Sequence, residues 1–283
     1  MVLILKVEFE ELMIRKLYPK GKEKAFNVTF DDGVLQDIRF VELLNKYNLK
    51  GTFNLNSGLM ESEFEWTHKN GSIVKRLSKD KAAPLYQGHE VACHTLTHPY
   101  MDDLSEAEIL YELKTDKDKL EKLFKREIKG FAVPFHYYSG LIESCVKQCG
   151  FSYARISEES RSFTLQNDFY KWKATIFHPR NSFDDIVRQF IASEEELALL
   201  QVGGHSYDLD AEDMWDSFES VFKEISSRND ILPMTTIEII EYLQAMNQAE
   251  ITGSSIKNNS DTGLWFSLDG SACEVKPNDY MIF

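Results

Sequence analysis

The chain has 283 residues, 43% hydrophobic and 28% charged, an ordinary globular composition with enough apolar mass for a large core. Its formal net charge of −14 and pI near 5.0 argue against nucleic acid or an anionic membrane surface as the main partner. The apolar start Met1 to Leu5 is short and soon followed by Glu8, Glu10 and Glu11, so it lacks a secretory pattern. No window is long and apolar enough to span a bilayer, and the sequence reads as cytoplasmic with no membrane partner.

The first decisive stretch runs from Ala25 to Gly33, where an apolar, β-branched run ends in Asp31, Asp32 and a glycine. The run predicts a buried strand. Acids are costly to bury unpaired, so a pair at a strand end points to chemistry. Gly33 can bend the chain so that both carboxylates share one cleft. Such a pair fits two jobs, one carboxylate on a metal and one free as a base. Position alone does not say which Asp does which.

Ile38, Val41, Leu44 and Tyr47 predict an amphipathic helix over 35–48, and 51–56 reads as the next strand. Strand, helix and strand form a βαβ unit, which implies a parallel sheet. Residues 57–85, with Trp66, His68, Gly71 and Pro84, read as a long surface excursion. Strand character returns from Gly88 to His94, and Pro99 keeps the chain extended before it. Ser105 and Glu108 form a capping box that opens a helix to about Phe124. Strands are predicted over 130–135, 151–156 and 172–177, and a helix over 141–149. The apolar run 197–202 leads into Gly203, Gly204 and His205. Helices follow over 213–227 and from the Thr235 cap to about Gln248. Residues 253–260 read as a flexible link, and 263–283 as short strands with a hairpin turn at Asp269-Gly270. The expected organisation is a main body over 1–248, then a linker and small C-terminal β appendage over 249–283. Cys93, Cys145, Cys149 and Cys273 match no zinc or redox spacing and read as small buried residues.

Roughly seven βα units predict an α/β barrel, closed or partly closed. Asp31, Asp32, His94, His98, Pro134 and His205 all follow predicted strands, where barrel sites are built. His94 and His98, four apart, with one carboxylate suit Zn²⁺ or a similar divalent ion that keeps open positions for water.

Two motifs, Thr29-Phe30-Asp31-Asp32-Gly33 and His94-Thr-Leu-Thr-His98-Pro99, resemble those of the polysaccharide deacetylases of carbohydrate esterase family four, which include chitin and peptidoglycan deacetylases. The likeness covers about residues 20–248. It is nearest to a bacterial branch carrying Asp32-Gly-Val-Leu-Gln-Asp37 and Gly204-His-Ser-Tyr207. The resemblance implies a distorted (β/α)7-type barrel, one divalent metal (Zn²⁺ ahead of Co²⁺, Ni²⁺ or Fe²⁺) and an N-acetylated sugar as carbohydrate substrate. It implies that Asp32, His94 and His98 bind the metal, that Asp31 is the general base and that His205 is the general acid. A backbone N–H of the third-motif loop would help hold the oxyanion.

The third motif, residues 131–136, departs from the family. Ala132 stands where the family has an arginine that pairs with the base, and His136 where it has glycine. Arg155, on the following strand, is the expected replacement cation. Pro134, Phe135, His136, Tyr137, Tyr207 and His178 are the expected substrate contacts. Asp168 and Trp172 stand in for the family's Asp-Trp fourth motif. The alternatives are a glycan-binding member of the fold with impaired catalysis, and a deacetylase of a non-polymeric or O-acetyl substrate.

Overall fold

A computed structural model describes residues 13–61, 65–177 and 183–283. The chain enters through β1 (Ile14–Leu17) and then β2 (Lys24–Asp31), whose eight residues are all buried. Helix α1 (Asp37–Lys46) and β3 (Gly51–Leu55) complete the βαβ unit that the apolar spacing predicts. A hairpin of β4 (Glu65–Thr67) and β5 (Ile73–Lys75) leads to α2 (Lys79–Leu85). Alternation resumes with β6 (Glu90–Cys93), α3 (Glu106–Phe124), β7 (Gly130–Ala132), α4 (Gly140–Gln148) and β8 (Tyr153–Glu159). Next come β9 (Trp172–Ala174), β10 (Ile176–Phe177), α5 (Phe183–Ala192) and β11 (Ala198–Gly204). Helices α6 (Ser206–Ala211) and α7 (Trp215–Ser227), strand β12 (Ile231–Pro233) and α8 (Thr236–Met246) end the main alternation.

The central sheet runs β10-β11-β2-β3-β6-β7-β8-β9, with β12 also against β2. Every pairing in it is parallel. This is the mostly parallel, helix-flanked architecture expected of the barrel. Thr175, between β9 and β10, donates its N–H to Gln201 of β11 at 2.8 Å and so draws the two ends of the sheet together. Outside the sheet, Phe30 stacks on Phe40 at 4.1 Å, and Phe218 and Phe222 meet Phe40 edge-on or tilted. Burying such rings supplies about 1.5–3 kcal/mol each, and α1 and α7 are held to the sheet this way. Inside it, polar groups satisfy one another. Thr52 donates to Glu90, Gln201 donates to Asn27 and Thr236, and Trp172 donates to Gln201.

The capping boxes at Ser105 and Thr235 form as read, each side chain accepting from the N–H three residues on. Two other readings are corrected. The stretch 57–85 is not a surface excursion: Met60, Val74, Leu77 and Ala82 are buried, and Leu35 N–H bonds the Lys75 carbonyl, tying the hairpin to the start of α1. Residues 253–260 are not a free link. They contain β14 (Ser255–Asn258), paired with β13 (Ala249–Ile251) and β17 (Tyr280–Ile282), with Ile256 and Asn258 buried. Asn258 Nδ2 donates to three carbonyls, so a polar-looking segment is pinned by its side chain. Strands β15 (Leu264–Leu268) and β16 (Ser271–Val275) form the predicted hairpin, and β15 pairs with β1. Among the described residues, no helix is long and apolar enough to cross a membrane.

Candidate active site

The strand ends converge as their sequence positions suggest. Asp31 is the last residue of β2, Asp32 follows at φ +85°, and Gly33 turns the chain at +64°. A positive φ strains a residue that carries a Cβ. Thr95, His98 and Phe135 share this strain, at +67°, +57° and +57°, so four such residues gather at one end of the sheet. Strain of this kind persists where surrounding contacts impose it. Here they do. Asn54 accepts the Asp32 N–H at 3.0 Å, Asn56 Nδ2 donates to the His94 and Thr95 carbonyls, and Thr95 Oγ1 accepts the His98 N–H at 3.1 Å.

Asp32, His94 and His98 each offer a ligating atom, and these atoms all lie within 4.8 Å of one another. Asp32 Oδ1 stands 3.6 Å from His98 Nε2 and 3.9 Å from His94 Nε2. Ligands around one tetrahedral ion lie about 3.3–3.5 Å apart, so small shifts bring these three onto a common centre. His94 Nδ1 bonds the Ala132 carbonyl at 2.8 Å, which leaves the lone pair on Nε2, facing the cluster. Burial holds the His94 imidazole down at about 4 and His98 below its ordinary value, so both are neutral. Burial alone would push the Asp32 carboxyl up, but Arg76, then His205, His94 and His98, hold it well below the usual carboxylate range. The donor set fits a divalent ion: two neutral imidazoles and one ionised carboxylate.

Arg76 escapes sequence reading. It follows β5, is buried, donates to the Asp32 carbonyl and stands 2.8 Å from Asp32 Oδ1. No charge pattern in residues 57–85 marks it, because its partner is 44 positions away.

Asp31 is held from two sides. Asn54 Nδ2 donates to Oδ1 at 2.7 Å, and Arg155 Nη2 lies 2.6 Å from both carboxylate oxygens. Arg155 is 1% exposed. Ala132 and Arg155 are register partners on β7 and β8, so the cation reaches Asp31 from the strand next to the one carrying Ala132. Burial would push the Asp31 carboxyl up, but Arg155, His94 and His205 together bring it below its ordinary value.

His205 closes β11 and faces the same end. Its Nε2 is 3.9 Å from Asp32 Oδ2, and its Nδ1 is 2.9 Å from Asp208 Oδ2. Burial lowers its pKa, but the Asp208 hydrogen bond and the carboxylates of Asp32 and Asp31 outweigh that and raise it. Asp208, on α6, is thus the carboxylate that meets His205 Nδ1. Asp168 instead caps a short turn through the Tyr170 N–H, and Trp172 is buried against Gln201. A second histidine, His68 of the segment after β4, meets the other Asp208 oxygen at 3.5 Å. Tyr207 donates to Asp32 Oδ2 at 3.4 Å and packs on the His205 ring. The two branch motifs are tied to each other. Ser206 Oγ and Tyr86 O–H each donate to Asp37 at 2.5 Å, which links the helix after Asp32 to the loop of His205.

Of the expected substrate contacts, Pro134 is buried, while Phe135, His136 and Tyr137 are exposed on the β7 loop. Phe135 packs edge-on against His98, with ring centroids 4.6 Å apart. Tyr207 lines the Asp32 side, and His178 lies outside the described residues.

Residues 19–154 match the family model for polysaccharide deacetylase. The uncharacterized protein YlxY of Bacillus subtilis is 28% identical over 133 residues, covering 45% of this chain and 37% of that protein. The peptidoglycan-N-acetylglucosamine deacetylase of Bacillus cereus is 25% identical over 150 residues, covering 50% of this chain and 63% of that protein. The matches thus span about one third and under two thirds of these curated relatives. The family 4 acetyl xylan esterase of Clostridium thermocellum, solved with a cobalt ion, shares the fold at TM-score 0.53 and 15% identity, over 77% of this chain and 90% of that one. The matched segment carries both strand-end motifs and the strands that deliver them, and over these residues the chain is similar to the polysaccharide deacetylase family.

Proposed function

We propose that this chain is a metal-dependent hydrolase that removes the acetyl group from an N-acetylated amino sugar. The observation that carries the reading is the meeting of Asp32, His94 and His98 beside an Asp31 held by Arg155. A divalent ion bound there supplies Lewis acidity and lowers the pKa of a coordinated water. Zn²⁺ suits the donor set best, with Co²⁺, Ni²⁺ or Fe²⁺ as substitutes.

The remaining roles fall to the chain itself. Asp31 is ionised at neutral pH and takes a proton from the attacking water. Asn54 and Arg155 fix its direction, so it enters the reaction without reorganising. His205 carries the proton that the leaving amine needs, and its raised pKa keeps it protonated nearer neutral pH. Asp208 orients that ring through Nδ1 and leaves Nε2 as the donor toward the cleft. A glycan-binding module would have no use for a base with two buried partners or for a histidine aligned by a carboxylate.

The test is metal content of the purified protein beside Asp32→Ala and His94→Ala, followed by acetate release from N-acetylated amino sugars. We expect about one tightly bound divalent ion, lost in both variants together with acetate release. A wild type that takes up no ion, even with added Zn²⁺, overturns the proposal and leaves glycan binding as the better reading.

A further inference from the structure

Asp32, the carboxylate proposed as an ion ligand, has a partner that the proposed chemistry does not use. Arg76 reaches it from just past β5, 44 positions along the chain. The backbone delivers it there. Leu35 N–H bonds the Lys75 carbonyl at 2.9 Å, and Leu77 N–H bonds the Gly33 carbonyl at 2.8 Å. The residues on either side of Arg76 are thus tied to the turn that follows Asp32. The Trp66 ring of β4 lies 5.5 Å from the guanidinium. Arg76 is 8% exposed and Asp32 6% exposed, and charges so buried are little screened.

The contact divides in two. Arg76 Nη1 donates to the Asp32 main-chain carbonyl. The same nitrogen lies 2.8 Å from Oδ1, yet among the described residues Oδ1 accepts no hydrogen bond. Oδ1 is also the oxygen that faces Nε2 of His98 and of His94, at 3.6 and 3.9 Å. Its lone pairs therefore stay open toward the histidines while a full positive charge stands beside them.

Charge balance gives this contact a consequence. Asp31 is answered by Arg155 and Asp32 by Arg76, two buried carboxylates against two buried guanidiniums. Neutral imidazole ligands add no charge. A divalent ion joining Asp32, His94 and His98 would enter a cluster that its own arginines already neutralise. Arg155 pairs with an acid outside the three donors, whereas Arg76 stands at the oxygen an ion would share. Like charges at one buried oxygen repel. Without Arg76, Asp32 would also be a buried acid short of its partner until an ion arrived. Both effects make an ion bind less tightly with Arg76 than without it.

We infer that Arg76 sets the ion affinity of the site, holding it below what Asp32, His94 and His98 would give alone. It is a positioning residue that acts on the ion through Asp32, and this rests on the deacetylase reading. The test measures Zn²⁺ affinity at pH 7 by competition with a chromophoric chelator, with circular dichroism to confirm the fold. It uses chelator-stripped wild type, Arg76→Met, Arg76→Gln and Arg76→Lys. We expect the methionine and glutamine variants to bind Zn²⁺ at least about tenfold tighter than wild type, or about 1.4 kcal/mol. Arg76→Lys keeps the charge and should stay within about threefold of wild type. Glutamine keeps a hydrogen-bond donor, so it separates charge from orientation. If Arg76 only held Asp32 in place, methionine would weaken binding and glutamine would leave it unchanged. Equal or weaker binding in the folded neutral variants overturns the inference and leaves the deacetylase reading intact. Should Arg76→Met fail to fold, Arg76→Gln against Arg76→Lys decides, because the inference requires the neutral variant to bind more tightly. No Zn²⁺ uptake by wild type or by any variant overturns the deacetylase reading itself, and this inference with it.

Discussion

Replacing Arg155 by methionine removes the charge beside Asp31 and keeps most of the volume. Asp31 then retains Asn54 Nδ2 at 2.7 Å as its side-chain donor, inside a site where its own exposure is 7%. Breaking a buried ion pair from one side costs about 3–5 kcal/mol, against less than about 1 kcal/mol for an exposed one. With Arg155 1% exposed and Asp31 nearly so, the first class applies. Urea unfolding at pH 7 should therefore show Arg155→Met about 3–5 kcal/mol less stable than wild type. The pH dependence follows in sign. In the wild type the Asp31 carboxyl lies below its ordinary value. Its pairing therefore stabilises above the unfolded pKa of about 3.9 and is lost as pH falls through the folded value. The gap between the two proteins should be widest at neutral pH and shrink in acid, where Asp31 is protonated in both. Acetate release should fall steeply in Arg155→Met, because the base is then loosely held and no longer kept ionised. Arg155→Lys, a point charge without the planar fork, should recover part of both losses. A stability loss under about 1 kcal/mol with an unchanged rate would refute the pairing argument.

Ser206→Ala removes one of two hydroxyl donors to Asp37, a buried acid with a pKa of about 6. The loss should be about 1.5–3 kcal/mol by urea unfolding; a variant as stable as wild type would show that the tie between the two motifs carries no energy. Glu90 is buried at the opposite end of the strands, and burial pushes its carboxyl up to about 7. The folded chain then holds a proton that the unfolded chain releases near pH 4.3, so stability should fall as pH rises from about 4 to 7, by up to about 3 kcal/mol. Unfolding at pH 5 and pH 8 measures this slope, and Glu90→Gln should flatten it; an equal slope in both proteins would assign the effect to other groups.

How much of this was legible depended on distance along the chain. The Asp31–Asp32 pair and the His94–His98 pair each lie within one short stretch, and local composition marks the strands that deliver them. The capping boxes at Ser105 and Thr235 are legible for the same reason. Arg155 was suggested by a gap at Ala132, and the β7–β8 register shows why a neighbouring strand can fill it. Arg76 and Asn54 were not suggested at all. Each meets its partner through tertiary pairing, and neither stands out by type or period. Asp208 lies three residues from His205, but in a stretch with Asp210, Glu212 and Asp213 its residue type does not single it out. Helix α5 places Phe183, Val187 and Phe190 inward, and that helical spacing is present in the sequence. Strand β12 is three residues long and ends in Pro233, which gives pattern reading little to use.

The antiparallel ladder between β1 and β15 joins segments that synthesis separates widely. Met13 N–H reaches Asp269 across 256 positions. At about 5–20 residues per second, roughly 10–50 s pass between the emergence of β1 and that of its partner. The barrel strands meet their neighbours earlier, so β1 waits as an unpaired edge beside a largely assembled body. Its closure is therefore a late, separate folding step, and agents that capture exposed strand edges have their widest opportunity before it.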